Sequence, residues 1–212
     1  MLRAVAVLLA LAPWASAREL PPIDAADWPS LREHARGLLG NLTKAGASLP
    51  EKTAKSAQAL LEQKSPENPR LAAQALQKLL DAQCLIGINI NPESRVKATR
   101  GPLAAVLERG RTAHVLVRVH NEGGVTHPLK AASEQAVERG GRDAARWLEL
   151  SVLNDKPFAN RLSGQRVEYR VLKLTARQSG KREATLSFDV GQGTQDLGFR
   201  SEVPILFTVR EP

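Results

Sequence analysis

Three histidines stand close together in the second half of the chain, His114, His120 and His127, with Glu122 among them. Imidazole nitrogens and a carboxylate are donors that zinc accepts. Such a site would make the chain a metal-dependent hydrolase in its own right. The spacing tests this. Ala113, Val115, Val117 and Val119 alternate with His114, Leu116, Arg118 and His120, so the two histidines share one face of a strand. Six positions along a strand span about 20 Å. One ion cannot bridge that without a bend. The expectation is solvent-facing strand and loop residues, with His114, His120, Glu122 and His127 as the metal candidates.

Other chemistry is thinner. Gly191 to Gly198 is glycine-rich, but it links two strands and no Lys–Ser/Thr closes it, so it is not a phosphate loop. Asp189 and Asp196 could hold calcium at this loop, though only two carboxylates are present and a third is missing. No Gly-x-Ser-x-Gly or His-Glu-x-x-His motif occurs, and every Asp and Glu has a plain surface reading. Cys84 is the lone cysteine, lies between an apolar helix and an apolar strand, and reads as buried packing. Asn41–Leu42–Thr43 matches a glycosylation acceptor but falls inside an expected helix. No catalytic residue and no cofactor is assigned.

The leader decides the compartment. Met1–Leu2–Arg3 is followed by an apolar run from Ala4 to Ala12, then Pro13–Trp14 and the small residues Ala15–Ser16–Ala17. That is the layout of a secretory signal cleaved after Ala17. The expected location is periplasmic or secreted, and no later stretch is long enough to span a membrane. A lone cysteine allows no internal disulfide.

The net charge is +8, and it is uneven. Residues 18–84 hold nine Lys/Arg and eight Asp/Glu, whereas 85–212 hold twenty and fourteen. A basic exported domain suits an anionic cell-envelope polymer or lipid surface. The plainer reading is a solvated, arginine-rich sheet surface. Nucleic acid is set aside, because single-strand stacking needs aromatic platforms and the whole chain has three Trp, one Tyr and four Phe.

The elements that position these residues divide at Cys84. Leu31, Ala35, Leu38, Leu42 and Ala45 predict a first helix, started by Ser30–Glu33 or, one turn earlier, by Asp27 and Pro29, and stopped at Gly46. Ser48–Leu49–Pro50–Glu51 predicts a capping box for a second, and Asn68–Pro69 opens a third with Leu71, Ala72, Ala75, Leu76, Leu79 and Leu80. Beyond Cys84 the period is two. Leu85 to Ile90, Ala113 to Val119, Leu148 to Val152, Val167 to Leu174, Ala184 to Val190 and Val203 to Val209 read as strands. The shift in parity at Leu172 suggests a bulge, and Ser179–Gly180 suggests a hairpin tip joining the strands of Tyr169 and Phe188. Residues 131–145 read as loop or short helix. The expected fold is α+β: a signal at 1–17, a small three-helix unit at 24–84, and an antiparallel immunoglobulin-like β-sandwich at 85–210.

Several runs then carry a resemblance. They are Ile90–Asn91–Pro92–Glu93–Ser94–Arg95–Val96–Lys97, Val117–Arg118–Val119–His120–Asn121–Glu122–Gly123–Gly124–Val125–Thr126, Leu162–Ser163–Gly164, Gly180 to Leu186, and Phe188 to Arg200. Together they resemble the N-terminal region of large exported bacterial proteins of the CehA/McbA metallohydrolase type, in the PHP-like phosphoesterase group. The resemblance implies a non-catalytic leading module whose metal ligands belong to a later domain, so no active-site residue carries over. The expected function is an exported accessory, spacer or binding module whose partner is a hydrolase domain. The alternatives are a hydrolase using the histidines, or a binder of anionic polymer or lipid.

Overall fold

The computed structural model describes residues 17–137, 145–191 and 199–212. The leader up to Ser16, Asp196 and the centre of the 131–145 segment lie outside them. Three helices open the fold: α1 (Trp28–Lys44), α2 (Glu51–Leu61) and α3 (Pro69–Asp81). The earlier of the two starts is used for α1, since Asp27 Oδ2 accepts the Ser30 N–H at 3.0 Å and the Ser30 hydroxyl at 2.7 Å. Asn68 caps α3 through the Leu71 N–H. The capping box expected for α2 does not form. Pro50 is its N-cap, and the Ser48 hydroxyl turns to Thr43 instead. Gly46, at φ +67°, stops α1 in the left-handed conformation.

Ten strands follow among the described residues: β1 (Cys84–Ile90), β2 (Val96–Arg100), β3 (Val106–Glu108), β4 (Thr112–Asn121), β5 (Lys130–Ala132), β6 (Ala136–Val137), β7 (Leu148–Val152), β8 (Val167–Ala176), β9 (Gly180–Asp189) and β10 (Arg200–Arg210). They form two sheets, ordered β2-β1-β4-β8-β7-β6 and β3-β10-β9-β5. The 131–145 segment, where described, is thus strand and turn rather than helix.

The expected all-antiparallel pairing is corrected to a mixed one. β1 runs parallel to β4, β3 to β10, and β6 to β7. Parallel neighbours need a long crossover. Residues 91–111 provide one for β1 and β4, because the chain visits β2 and then the other sheet before returning. The hairpin expected at Ser179–Gly180 is also corrected. β8 and β9 belong to different sheets, so this link is an arch between layers.

The bulge expected near Leu172 is absent. β8 pairs with β4 in unbroken register from Val167 to Thr175. Its parity shift has another cause. Val167, Tyr169 and Val171 point to one side and pack with the helices, while Leu172, Leu174 and Ala176 point to the other and join the core between the sheets. The irregularity lies in β1, where the pairing to β4 skips Leu85.

Two hydrophobic clusters result. One lies between the sheets and contains Ile86, Ile88, Val117, Val119, Leu172, Leu186, Phe188, Ile205 and Phe207. Trp147 meets Phe207 edge-on there, with ring centroids 5.7 Å apart. The second lies on the outer face of the six-stranded sheet. It joins Trp28, Leu31, Leu42, Leu61, Leu76 and Leu80 of the helices to Cys84, Leu116, Tyr169 and Val171 of the strands. The helices therefore bury their apolar faces on the sheet as well as on one another.

Close packing at the start of this sandwich gives a test. A Cβ on Gly101 would lie 2.3 Å from the Cys84 carbonyl oxygen, which is backbone and cannot yield. Gly40, within α1, has nothing within 4 Å of that position. Gly101→Ala is expected to destabilise by about 2 kcal/mol or more, whereas Gly40→Ala stabilises by about 0.5–1 kcal/mol. Urea unfolding followed by circular dichroism reads both.

Candidate functional site

The outer face of the six-stranded sheet is organised by its cross-strand register. Thr99, Gly87, Arg118 and Tyr169 form one row across β2, β1, β4 and β8. Lys97, Asn89, His120 and Val167 form the next. The helices cover the β8 side of these rows. On the β2 side, residues 20–25 lie over the face.

At the covered end a polar network is sealed into the helix–sheet joint. Asp81, the last residue of α3, accepts from Arg118 Nη1 at 2.6 Å and from the Tyr169 hydroxyl at 2.8 Å. Arg118 and Asp81 side chains are each 7% exposed. Burial pushes the Asp81 carboxyl up to about 6, opposed by the Arg118 charge and the Tyr169 hydrogen bond. Burial, with the Asp81 charge behind it, also raises the Cys84 thiol well above its ordinary range. Cys84 is fully buried and its thiol donates to the Leu80 carbonyl at 3.4 Å. That makes it a packed side chain, held as the neutral thiol rather than the reactive thiolate.

The segment before α1 is tied to the same joint. Arg118 Nη1 donates to the Pro21 carbonyl at 2.8 Å. Gln77, fully buried, pairs with the Ile23 backbone, donating to its carbonyl and accepting from its N–H. Leu20 lies over Gly87, where a Cβ would come within 2.6 Å of its side chain. A side chain at Gly87 would have to displace the Leu20 methyls.

A second junction holds the segment between β7 and β8. Past the end of β7, the free edge of β8 is capped by α1. The Tyr169 N–H donates to His34 Nε2 at 2.7 Å. Burial lowers His34 to about 4, so it is the neutral acceptor this bond requires. Behind it, Arg170 donates to the Ala159 and Arg161 carbonyls and to Asn154 Oδ1, and Glu168 accepts twice from the Ser163 N–H. Beside His34 and Arg170 is a cavity of about 280 Å³.

The expected metal candidates fall in three places. β4 is regular throughout, so His114 and His120 stay far apart, with His114 opposite Lys173. His127 is in the following loop, where its carbonyl accepts from the Leu162 N–H. Only His120 and Glu122 meet, at 3.7 Å, and Asn89 Nδ2 donates to both, 3.0 Å to His120 Nδ1 and 2.9 Å to Glu122 Oε1. Among the described residues, no three His, Cys, Asp or Glu side chains gather as a metal ion requires. Asn121 is structural, exchanging two hydrogen bonds with the Val125 backbone across the Gly123–Gly124 turn. Asp189 accepts from the Gly191 N–H. Asn41 donates to the Pro157 carbonyl.

The residues missed by sequence reasoning are the buried arginines. Arg100, Arg118 and Arg170 are each 6% exposed, against the expected solvated sheet surface. A signal existed for two of them. Arg118 and Arg170 each stand inside an apolar strand flanked by residues that later prove buried on both faces.

No protein-family model matches the chain, and no curated protein does. Solved structures similar to it include domains 4 and 5 of the S-layer protein SbsC, at 16% identity and TM-score 0.29, covering 50% of this chain and 41% of that one. Another is the ASH/PapD-like domain 7 of human CEP192, at 10% identity and TM-score 0.31, covering 51% of this chain and 82% of that one.

Two outcomes follow from the joints. Asp81→Ala strands the buried Arg118 charge and is expected to cost about 3–5 kcal/mol, against about 1 kcal/mol for Tyr169→Phe; chemical denaturation separates them. His34 is neutral when folded, with its pKa depressed from 6.5 to about 4. Its contribution is complete above pH 6.5 and is lost as pH falls toward 4. In His34→Gln, whose amide oxygen can accept the same bond without titrating, the acid-side loss of stability shrinks.

Proposed function

We propose that the chain is an exported, non-catalytic accessory module. It is an immunoglobulin-like sandwich with a helical cover, acting as a spacer or binding part beside a metal-dependent hydrolase of the CehA/McbA type. The observation that carries this reading is the use made of its ionisable groups. Asp81, Arg118, Tyr169, Glu168 and Arg170 are joined to one another or to backbone, and each joint fastens one element to the next. His114, His120 and His127 stand apart. The Met1–Ala17 leader supports a periplasmic or secreted location. The module reading takes the β2 end of the six-stranded sheet as the surface for a partner.

The test is elemental analysis of the purified protein together with a phosphoesterase assay. The expected result is far less than one metal ion per chain and no turnover. Stoichiometric zinc or manganese that disappears in His120→Ala would instead establish a hydrolase built on the histidine strand.

A further inference from the structure

Residues 18–25 lie across the β2 end of the six-stranded sheet without joining it. Among the described residues, their one backbone-to-backbone bond is local, from the Ala26 N–H to the Ile23 carbonyl. The other hydrogen bonds that hold them come from side chains of the receiving surface. From β4, Arg118 Nη1 donates to the Pro21 carbonyl at 2.8 Å. From α3, Gln77 accepts the Ile23 N–H at 2.9 Å and donates to the Ile23 carbonyl at 3.1 Å. Arg70 and Gln74, also on α3, reach the Asp24 carboxylate at 3.0 and 2.6 Å. Within 18–25 only Ile23 is buried, in the helix–sheet cluster, and Leu20 is half-buried over Gly87. Pro21 and Pro22 hold the backbone near the extended form, so little chain entropy is lost on docking.

This is how a receptor holds a peptide, with main-chain groups read by side chains and two apolar side chains seated three residues apart. The segment also leaves its channel unfilled. An open groove of about 560 Å³ runs beside it toward α3, lined by Leu71, Ala75 and Pro102. Leu71 stands 59% exposed there. A second groove of about 550 Å³ lies on the sheet side, with Gly87, Asn89 and Thr99. A segment that repeats the main-chain bonds and also covers Leu71 buries more apolar area than the resident one. Gln77 and Arg118 become available only when residues 20–25 leave, so a partner substitutes for them rather than adding to them. We infer that residues 20–25 are a resident strap over a peptide-binding groove, displaced by an extended segment of a partner protein with apolar side chains three residues apart and a carboxylate directly after the second. The inference rests on the binding-module reading and names its partner chemistry.

A fluorescent peptide with the sequence of residues 18–27 is titrated into the full chain and into Ile23→Ser/Asp24→Asn, which loosens the strap and leaves the receiving side chains intact. A tethered strap competes at an effective concentration in the millimolar range, so the unaltered chain binds weakly. The loosened variant is expected to bind saturably, about tenfold or more tightly. Leu20→Ser/Asp24→Asn, which changes no buried residue, is expected to shift binding in the same direction and serves where circular dichroism shows that Ile23→Ser disturbs the fold. The Gln77 side-chain amide resonance, displaced in the loosened variant, returns on adding the peptide. A peptide carrying Ile23→Ser fails to bind. Equal binding to the unaltered and loosened chains, equal binding of the substituted peptide, or an unmoved Gln77 signal overturns the strap. A micromolar dimer of the full chain that vanishes in the loosened variant assigns the groove to the strap of a second copy and overturns the partner segment. These results leave the module reading standing, since that reading fails on a different observation, stoichiometric metal with turnover.

Discussion

The joint of Asp81, Arg118 and Tyr169 decides how the rest of the molecule is arranged. It takes one residue from the end of α3, one from β4 and one from β8, and closes them with bonds of 2.6 and 2.8 Å. A carboxylate and a guanidinium withdrawn from water are tolerated only as partners. The helix end and the two strands must therefore meet in one register or leave a charge stranded. The same guanidinium holds the Pro21 carbonyl, so the extended segment before α1 is fixed by the joint as well.

Fixing that end of the helical layer gives the outer sheet face two unlike halves. Toward β8 the helices seal it, and its residues are apolar or paired. Toward β2 the cover thins to residues 20–25, and Asn89, Lys97, Thr99, Arg118 and His120 surround an open groove. The polar end of the sheet is left accessible because the apolar helices have nothing to gain by covering it.

Much of the fold was legible in the residues. Helical spacing, Asp27, Gly46 and Asn68 located the three helices, because caps and apolar stripes are local signals. The runs around Val117, Phe188 and Phe207 were identifiable as strands for the same reason. Pairing was not legible. β8 and β9 are adjacent in sequence yet lie in different sheets, and β1 finds β4 across an excursion through the second layer. The parity shift in β8 looked like a backbone fault from sequence, since a strand buried on one face can change faces only through a bulge. It proved to be a strand buried on both, toward helices at Tyr169 and toward the second sheet at Leu174.

The short β2, β3, β5 and β6 were not legible in the sequence, which by itself determined the three helices, the other six strands and that Cys84 would be packed rather than reactive. These follow from side-chain periodicity and from backbone preferences that act over a few residues. Only the tertiary structure decided which face each strand turns to which layer, that Arg100, Arg118 and Arg170 are interior, and that His120 meets Asn89 and Glu122 instead of His114 and His127. Those outcomes depend on contacts between residues as distant as Pro21 and Arg118 or His34 and Tyr169. The energy of a buried charge or donor is set by what surrounds it in space, which no local pattern records.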